Sequence, residues 1–306
     1  MTSPRLAENT SRGRYYRYPQ GHPRQGEPGL ISVTNALSVA MAKPALVPWA
    51  AKIVAEHTLD HLPQVVARSR TDRDGLLKDL KGQVGVSRDK AANLGSRIHA
   101  LAEAHATGQQ VAWQDGDDEC APYVDQYVKF LADFDVDLTR HMVAAEMTVA
   151  DPHLGVAGTL DLIAELPVGV EATSTGVQVY QLPDGERHAF LIDLKTSATR
   201  PSTSVYGEYA LQLAALRDMR EAWMPDGSIE PMPRVSACAV LNLRRSTYAL
   251  IPLPFTDAER KAWRAVVAVA KWSHSTGKDI NGGEYRPVTP AGVSRPKQTR
   301  SPKVVA

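Results

Sequence analysis

Hydrophobic residues recur at helical spacing through the first half of the chain. Leu46, Trp49 and Ile53 fall near one face of a helix, as an amphipathic helix requires. Ser87 is a typical N-cap residue and Gly108 a typical helix stop, so the segment between them reads as one long helix. The predicted helices of this half cover 44–61, 87–107 and 122–134.

From residue 142 onward the pattern changes to alternating and β-branched residues, which is typical of strands. The predicted strands cover 142–149, 156–166, 177–181, 188–193, 235–243 and 247–253. Pro183-Asp184-Gly185 is a turn signal, so we expect the third and fourth of these strands to form a hairpin. Helical patterns return over 204–223 and 257–273. This order of elements predicts a mixed α/β sheet with flanking helices.

The composition is that of an ordinary globular protein, with 43% hydrophobic and 23% charged residues in a chain of 306. No apolar run approaches the roughly 20 residues that span a bilayer, and residues 1–5 lack the apolar core of a signal peptide. We therefore expect no membrane partner and a cytoplasmic location. Two cysteines, Cys120 and Cys238, are too few for a disulfide scaffold or a four-cysteine iron–sulfur cluster.

The net charge of +1 conceals an uneven distribution. Residues 1–28 carry five arginines against two glutamates, and residues 281–306 carry five basic residues against one glutamate. Both segments are rich in Pro, Gly, Ser and Arg without hydrophobic periodicity, so we predict that they are disordered basic tails. Such tails either attract polyphosphates or only keep the protein soluble, and the sequence leaves both readings open.

The first candidate chemistry lies at the end of a predicted buried strand. Asp193 follows the apolar run 189–192, and Lys195 comes two residues later. Because side chains alternate along a strand, Asp193 and Lys195 project from the same side while Leu194 points into the core. Asp161 ends a second apolar segment. Two carboxylates and an ammonium on neighbouring strands suit a divalent cation and a polarised water, which is the equipment for hydrolysing a phosphodiester.

The chain contains a second copy of the same tripeptide, which serves as an internal control. Asp79-Leu80-Lys81 lies in a charged stretch of helical type, where a solvated charge pair is the expected reading. Burying a carboxylate and a lysine without partners is costly, so only the copy at Asp193 is predicted to be functional.

Three further polar residues interrupt apolar patterns. His99 lies in the predicted long helix, four residues after Gly95, whose small size leaves room beside the imidazole. Glu146 lies in a strand that otherwise looks half buried, and Gln212 interrupts an apolar helix face. Each residue taken alone has an ordinary structural reading, as a surface or packing residue.

Taken together, these residues resemble the successive motifs of the PD-(D/E)XK nuclease superfamily. The similarity is to its RecB-like exonuclease branch, which includes CRISPR-associated RecB-like nucleases and many phage exonucleases, and it extends over about 29–253. The matching residues, in the order of the family motifs, are Gly95-Ser96-Arg97-Ile98-His99, Glu146, Gly158-Thr159-Leu160-Asp161, Asp193-Leu194-Lys195 and Tyr209-Ala210-Leu211-Gln212.

The resemblance implies a restriction-endonuclease-like fold, in which helices flank a mixed β-sheet core and the N-terminal part is helical. The nuclease domain would then cover 29–280, with a mainly helical part over 29–135 and the sheet core over 136–280. The chain departs from the family pattern at two positions: Asp193 stands where many relatives have glutamate, and Leu216 stands where the glutamine motif usually ends in tyrosine. No helicase P-loop motif occurs, which indicates a free-standing nuclease.

The resemblance also implies a role for each residue. Asp161, Asp193 and the backbone carbonyl of Leu194 would bind Mg²⁺ or Mn²⁺. His99 would add a nitrogen ligand that favours Mn²⁺. The remaining residues would act around the metal: Glu146 holding a metal-bound water or a second metal, Lys195 orienting or deprotonating the attacking water and offsetting transition-state charge, and Tyr209 with Gln212 holding the DNA strand.

The implied activity is metal-dependent exonuclease cleavage of DNA with a free end, in recombination, repair or phage DNA processing. The implied protein partner is a single-strand annealing or recombination protein, and a phage-encoded nuclease would work in the host cytoplasm. Two alternatives remain open from the sequence: a structure-specific endonuclease with the same site, and a catalytically silent DNA-binding module.

Overall fold

The computed structural model describes residues 6–110, 113–173 and 176–282. In chain order the strands are β1 (Ala7–Thr10), β2 (Gly13–Tyr16), β3 (Leu30–Ser32), β4 (Met142–Asp151), β5 (Val156–Leu166), β6 (Val168–Thr173), β7 (Gly176–Gln181), β8 (His188–Thr196), β9 (Glu221–Trp223), β10 (Ile229–Pro231), β11 (Ala237–Leu243) and β12 (Tyr248–Leu253). The helices are α1 (Val33–Ala40), α2 (Leu46–Asp60), α3 (Leu62–Thr71), α4 (Arg73–Ala106), α5 (Ala121–Asp133), α6 (Gly207–Arg217), α7 (Asp257–His274) and α8 (Thr276–Gly282).

Strand β5 is the centre of the main sheet. Along one edge it pairs with β4 from Val156 to Ala164. Along the other edge it pairs with β3 only at Ile31↔Val156 and Ser32↔Ala157, and with β8 from Leu162↔Ile192 onward. Among the described residues, no strand therefore pairs with residues 158–161 of β5 on that edge. This interruption of the sheet is called the β5 gap below.

The rest of the sheet extends from these central strands. Strand β8 continues in parallel pairing with β11, which pairs with β12. Strands β2 and β1 extend the sheet beyond β3, and β9 and β10 extend it beyond β4. Strands β6 and β7 form a separate two-stranded sheet.

Helices bury both faces of the main sheet. One core contains apolar side chains of α1, α6 and α7, and the other contains those of α4 and α5. The apolar stripe of α4 that enters this second core begins near Leu94 and includes Ile98 and Leu101. The predicted mixed α/β fold class is confirmed, and so are the helix over 122–134 and the strands that begin the sheet core, β4 and β5.

The predicted hairpin between 177–181 and 188–193 is wrong. Strand β7 pairs with β6 instead, and β8 inserts between β5 and β11. The reason lies in burial, because β7 is largely exposed whereas Phe190, Leu191 and Ile192 are buried. A strand with apolar residues on both faces is stabilised most by a central position in a sheet covered on both sides.

The long helix begins earlier than predicted, at Arg73 rather than after Ser87. Asp72 caps this helix, since its side chain accepts a hydrogen bond from the Gly75 N–H at 3.0 Å. Helices α2 and α3 pack against α4, which supplies tertiary support for a charged segment that has little apolar periodicity of its own.

The predicted helix over 204–223 is shorter than expected. Helix α6 ends at Arg217, and the next residues lead into β9, which pairs with β4 at Thr148↔Trp223. Burial of Trp223 against the sheet favours this short strand over two more turns of helix.

The prediction of a disordered tail over 1–28 is wrong for the part that the structure describes. Strands β1 and β2 form an antiparallel hairpin that joins the sheet through β3. Tyr16 and Tyr18 are buried in this region against Trp223 and residues of β4 and β5, so aromatic burial outweighs the polar, Arg-rich composition.

The predicted tail over 281–306 lies almost entirely outside the described residues, since α8 ends at Gly282. Residues 1–5 also lie outside the described residues. Among the residues that are described, no helix combines the length and the apolar character that a membrane crossing requires.

The close packing of α1 and α6 on β5 gives a test of the fold. A Cβ atom on Gly158 would lie 2.7 Å from Leu216 Cδ2 and 3.2 Å from Val33 Cγ2. We expect Gly158→Ala to lower the free energy of unfolding by about 1–3 kcal/mol through overpacking, as measured by urea denaturation.

Gly82→Ala is the matched control for this change. Gly82 lies in α4, where a Cβ atom would have nothing within 4 Å beyond its own helix backbone, so alanine there should stabilise the protein by about 0.5–1 kcal/mol. Equal effects of the two substitutions would contradict the close contact at Gly158.

Candidate metal centre and its lysine

The β5 gap brings the two sequence motifs together. Strand β8 pairs with β5 as far as Ile192 and then separates from it. Across this separation the Leu194 N–H donates a hydrogen bond to Asp161 Oδ2 at 2.6 Å. Because the N–H and the carbonyl of one strand residue point to the same side of the strand, the Leu194 carbonyl also faces the gap.

Helix α4 carries His99 and places it beside the β5 gap. His99 lies one residue after the fully buried Ile98, so packing of the apolar stripe fixes the direction of the imidazole. The helix passes close to the end of β8, since a Cβ on Gly95 would lie 3.2 Å from Thr196 Oγ1. Gly95 therefore provides space for β8 rather than for the imidazole.

Glu146 occupies a strained position in β4. Its φ of +46° is in the left-handed region, which costs a non-glycine residue free energy. Its neighbours pair as Ala145↔Leu162 and Met147↔Leu160, so Glu146 stands opposite Asp161. Strained backbone at a site of clustered charge is typical of functional positions.

The three side chains from different elements converge on one point. His99 Nδ1 lies 3.4 Å from Asp161 Oδ1 and 3.9 Å from Glu146 Oε1. One ligand nitrogen and two carboxylate oxygens, one from each residue, all lie within 4.8 Å of one another. We refer to His99, Glu146 and Asp161 as the donor set.

A second group lies on the other side of the gap. Lys195 Nζ is 2.5 Å from Asp193 Oδ2, and the Gln212 amide bridges the pair. Its Nε2 donates to Asp193 Oδ1 at 2.8 Å, and its Oε1 accepts from Lys195 Nζ at 3.3 Å. The ammonium also lies 5.1 Å from the centre of the Tyr209 ring, within the range of a cation–π interaction.

The carboxylates of the donor set favour the protonated form of His99. Burial disfavours the charged imidazolium, but the carboxylates of Asp161 and Glu146 outweigh burial and raise the pKa of His99 to about 10. Burial also opposes ionisation of Asp161, yet His99, Lys195 and the Leu194 N–H together lower the pKa of that carboxyl. Burial raises the pKa of Glu146.

In the group around Lys195, the pKa of the carboxyl shifts in the direction opposite to that of Asp161. Burial raises the pKa of Asp193, and the nearby charge of Asp161 adds to this effect. Burial favours a neutral Lys195, but Asp193 and Asp161 outweigh it and raise the pKa of the ammonium. Lys195 is therefore held in its charged form at neutral pH.

The donor set fits one divalent cation. Ligands on opposite sides of such a cation lie about 4–5 Å apart, since metal–ligand distances are about 2.0–2.6 Å. One imidazole nitrogen with two carboxylates suits Mg²⁺ less than Mn²⁺. Asp193 Oδ2 is buried and lies 2.5 Å from Lys195 Nζ, and it has no further polar partner among the described residues. An anionic oxygen in that state is a further candidate ligand.

The control copy of the tripeptide behaves as an ordinary surface feature. Asp79 and Lys81 lie exposed on α4, and Asp79 pairs with Arg68 at 2.6 Å. Identical local sequence therefore gives a solvated helix at one position and a buried strand end at the other.

The structure brings every predicted site residue to the β5 gap, with one difference in partners. The resemblance paired Asp161 with Asp193 as metal ligands and gave Glu146 a secondary role. In the structure Glu146 lies in the donor set, whereas the Asp193 carboxylate faces Lys195 and Gln212.

Sequence reasoning missed two residues that support the site, one in β11 and one directly after it. Asn242 is the register partner of Lys195, and its amide holds the backbone of Ser202 and Ser204. The buried Arg244 guanidinium donates to the carbonyls of Arg200 and Pro201 and, at 3.3 Å, of Lys195. The signal was available, because both residues interrupt or end an apolar strand, as Asp193 and Lys195 do.

No family model matches this chain, and no curated protein matches it. Among solved structures it has a weak similarity to one described as "Crystal structure of SSO0001", at 11% sequence identity and a TM-score of 0.24, over 60% of this chain and 71% of the other. A similarity of that size carries no argument about fold or function.

The strain at Glu146 gives a test of the site geometry that needs no activity. Glycine normally destabilises a strand relative to alanine by about 0.5–1 kcal/mol. At a position with φ of +46° the order should reverse, because alanine loses about 1–2 kcal/mol in the left-handed conformation. We expect Glu146→Gly to be more stable than Glu146→Ala in thermal unfolding.

Glu165 in β5 provides the control, since it is a strand glutamate with ordinary φ. There the alanine variant should be the more stable of the two. The same order of stability at both positions would mean that Glu146 is not strained.

Proposed function

We propose that this protein is a divalent-metal-dependent deoxyribonuclease that hydrolyses phosphodiester bonds at DNA ends. The observation that carries the proposal is the meeting of a three-residue donor set with a charged lysine at an interruption of the sheet. Such a combination can hold a cation, a water and a phosphate within reach of one another.

The donor set, with the Leu194 carbonyl and Asp193, would hold the metal. A bound Mg²⁺ or Mn²⁺ supplies Lewis-acid activation of water and of the phosphate oxygens. His99 would contribute a neutral nitrogen as a ligand, so a cation that binds there would displace the proton that the raised pKa of His99 retains.

Lys195 provides positive charge to the transition state. Its raised pKa keeps it an ammonium, so it donates hydrogen bonds to developing negative charge on the phosphate rather than accepting a proton from water. The hydrogen bonds from and to Gln212 fix the position of this ammonium and of its partner carboxylate.

The glutamine motif divides into two roles. Both polar atoms of the Gln212 amide are engaged within the site, so this residue acts by orienting Lys195 and Asp193. Tyr209 is half exposed beside the lysine and is the member of the motif that can touch a DNA strand. The choice of a DNA end over an internal bond rests on the resemblance to RecB-like exonucleases.

Removing a carboxylate tests the proposal directly. Asp161→Ala should abolish release of label from end-labelled linear DNA in Mn²⁺, because the donor set loses one of its two carboxylates, while the protein stays folded. The cleavage rate should fall at least about 10²-fold, which is the scale for losing one electrostatic contribution to transition-state stabilisation. Asp79→Ala is the control and should cut at the parental rate.

Closed circular DNA in the same assay separates exonuclease from endonuclease activity. The proposal requires linear DNA to be digested and circular DNA to stay closed. Nicking of the circle would assign a structure-specific endonuclease. Binding without any product in Mn²⁺ or Mg²⁺ would leave a silent DNA-binding module and end the proposal.

The duplicated tripeptide tests the role of the lysine. Lys195→Ala should lower single-turnover cleavage about 10²–10³-fold, as loss of one preorganised donor does, with little change in DNA affinity. Lys81→Ala removes the same charge from an exposed helix and should change the rate less than about twofold. Equal losses would show that the β5 gap does not distinguish the two copies.

A further inference from the structure

The N-terminal hairpin of β1 and β2 presents two different faces. Residues of β2 alternate, so Arg14 and Tyr16 share one face while Tyr15 and Arg17 lie on the other. The Tyr16 hydroxyl lies 2.9 Å from Thr159 Oγ1. Thr159 precedes Asp161 by two residues on β5 and projects from the same side of that strand, about 7 Å away. The face with Arg14 therefore adjoins the donor set.

The backbone at Arg14 is held rigidly. The Asn35 amide on α1 donates to the carbonyl of Arg12 at 2.8 Å and to that of Arg14 at 3.3 Å. Gly13 is required at this turn, because its φ is +95° and a Cβ there would overlap the Asn35 side chain. The hairpin is thus fixed at its tip by α1 and at its base by β3 and Thr159.

The Arg14 guanidinium is oriented but not neutralised. Its Nε points to Asn9 Oδ1 at 3.5 Å, across the hairpin. Burial raises the pKa of Tyr16, while the Thr159 hydroxyl and the Arg14 charge act to lower it and the Glu146 charge acts to raise it again. Arg14 and Glu146 are therefore both within electrostatic range of one buried hydroxyl.

Two other arginines of the N-terminal segment pair with carboxylates, whereas Arg12, exposed at the hairpin turn, has none within ion-pair distance among the described residues. Arg17 pairs with Glu8 at 2.6 Å, and Arg24 pairs with Glu27 at 2.6 Å. Over the described part of the chain, Arg14 lies within ion-pair distance of no carboxylate. A half-buried arginine without a carboxylate partner, held on a rigid strand beside the donor set, has the character of an anion site.

We propose that Arg14 binds a DNA phosphate next to the one that is cleaved, and that the β1–β2 hairpin positions the substrate strand along the β5 gap. This inference rests on the proposed nuclease function. Arg14 is a positioning residue: its guanidinium can form two parallel hydrogen bonds to a phosphate, while the reacting phosphate contacts the donor set and Lys195.

The test measures binding of a fluorescein-labelled single strand and of the matching duplex. Binding is monitored by fluorescence anisotropy in EDTA at increasing NaCl concentrations. Arg14→Ala should weaken binding about tenfold at low salt. It should also reduce the slope of log K against log [NaCl] by about 0.7 on the single strand or 0.9 on the duplex, the value for one lost phosphate contact.

Arg17→Ala is the matched control, because it removes the same charge from the same hairpin on the opposite, exposed face. We expect less than about a twofold change in affinity and an unchanged slope, since a solvated ion pair contributes little. Equal effects of the two variants, or no effect of Arg14→Ala, would overturn the assignment. Arg14→Gln removes the charge but keeps a hydrogen-bonding side chain, and it replaces the alanine variant if that variant does not fold.

A chemical cycle locates the contact. One phosphate at a time is replaced by a neutral methylphosphonate around the position next to the bond that is cut. At one flanking position the parental protein and Arg14→Ala should bind with equal affinity, because the contact is already absent. A constant difference at every position would mean that Arg14 acts only through general charge, and the proposal would fail.

These readouts separate the two proposals. A protein that cuts DNA while Arg14→Ala and Arg17→Ala bind alike retains the nuclease function and loses the hairpin assignment. A protein that binds DNA through Arg14 but forms no product with either metal retains a DNA contact at the hairpin and loses the nuclease function, and with it the claim that the contacted phosphate flanks a cleaved bond.

Discussion

The hydrogen bond from the Leu194 N–H to Asp161 Oδ2 marks the constraint on which the site depends. It spans the place where β8 leaves β5, and it replaces the ladder bond that a continuous antiparallel pair would have made there. A backbone donor at this point would otherwise lie buried without a partner, which is costly. The carboxylate that satisfies it also belongs to the donor set, so the geometry of the sheet and that of the candidate metal site depend on one side chain.

The site concentrates ionisable groups in a way that folding alone would not favour. His99 and Lys195 compensate the charges of Asp161, Asp193 and Glu146, and one of these residues also has a strained backbone. Buried pairs of this kind seldom add net stability. Burial of apolar side chains in the two cores offsets the free-energy cost of burying these charges. Hydrogen bonds from Arg244 to backbone carbonyls hold the adjacent loop.

The wrong secondary-structure predictions share a cause. Strand β8 lies between β5 and β11 rather than beside β7, the short strand β9 pairs with the distant β4, and the N-terminal hairpin is held by α1 and β5. Composition marked that hairpin as a polar tail, because the burial of Tyr16 and Tyr18 depends on surfaces supplied far downstream. Local patterns predicted β4, β5 and α5 well, since their periodicity reflects a buried face that each presents by itself.

The sequence by itself determined which residues are candidates for a functional site, because polar side chains inside apolar runs must be compensated wherever the run is buried. It therefore predicted the mixed α/β class and selected Asp193 over the identical tripeptide at Asp79. The tertiary structure alone decided how those residues are grouped: Glu146 with His99 and Asp161, and Asp193 with Lys195 and Gln212. That division depends on where β8 separates from β5 and on the direction in which α4 crosses the sheet. Both are determined by long-range packing, for which the amino-acid sequence contains no local signal.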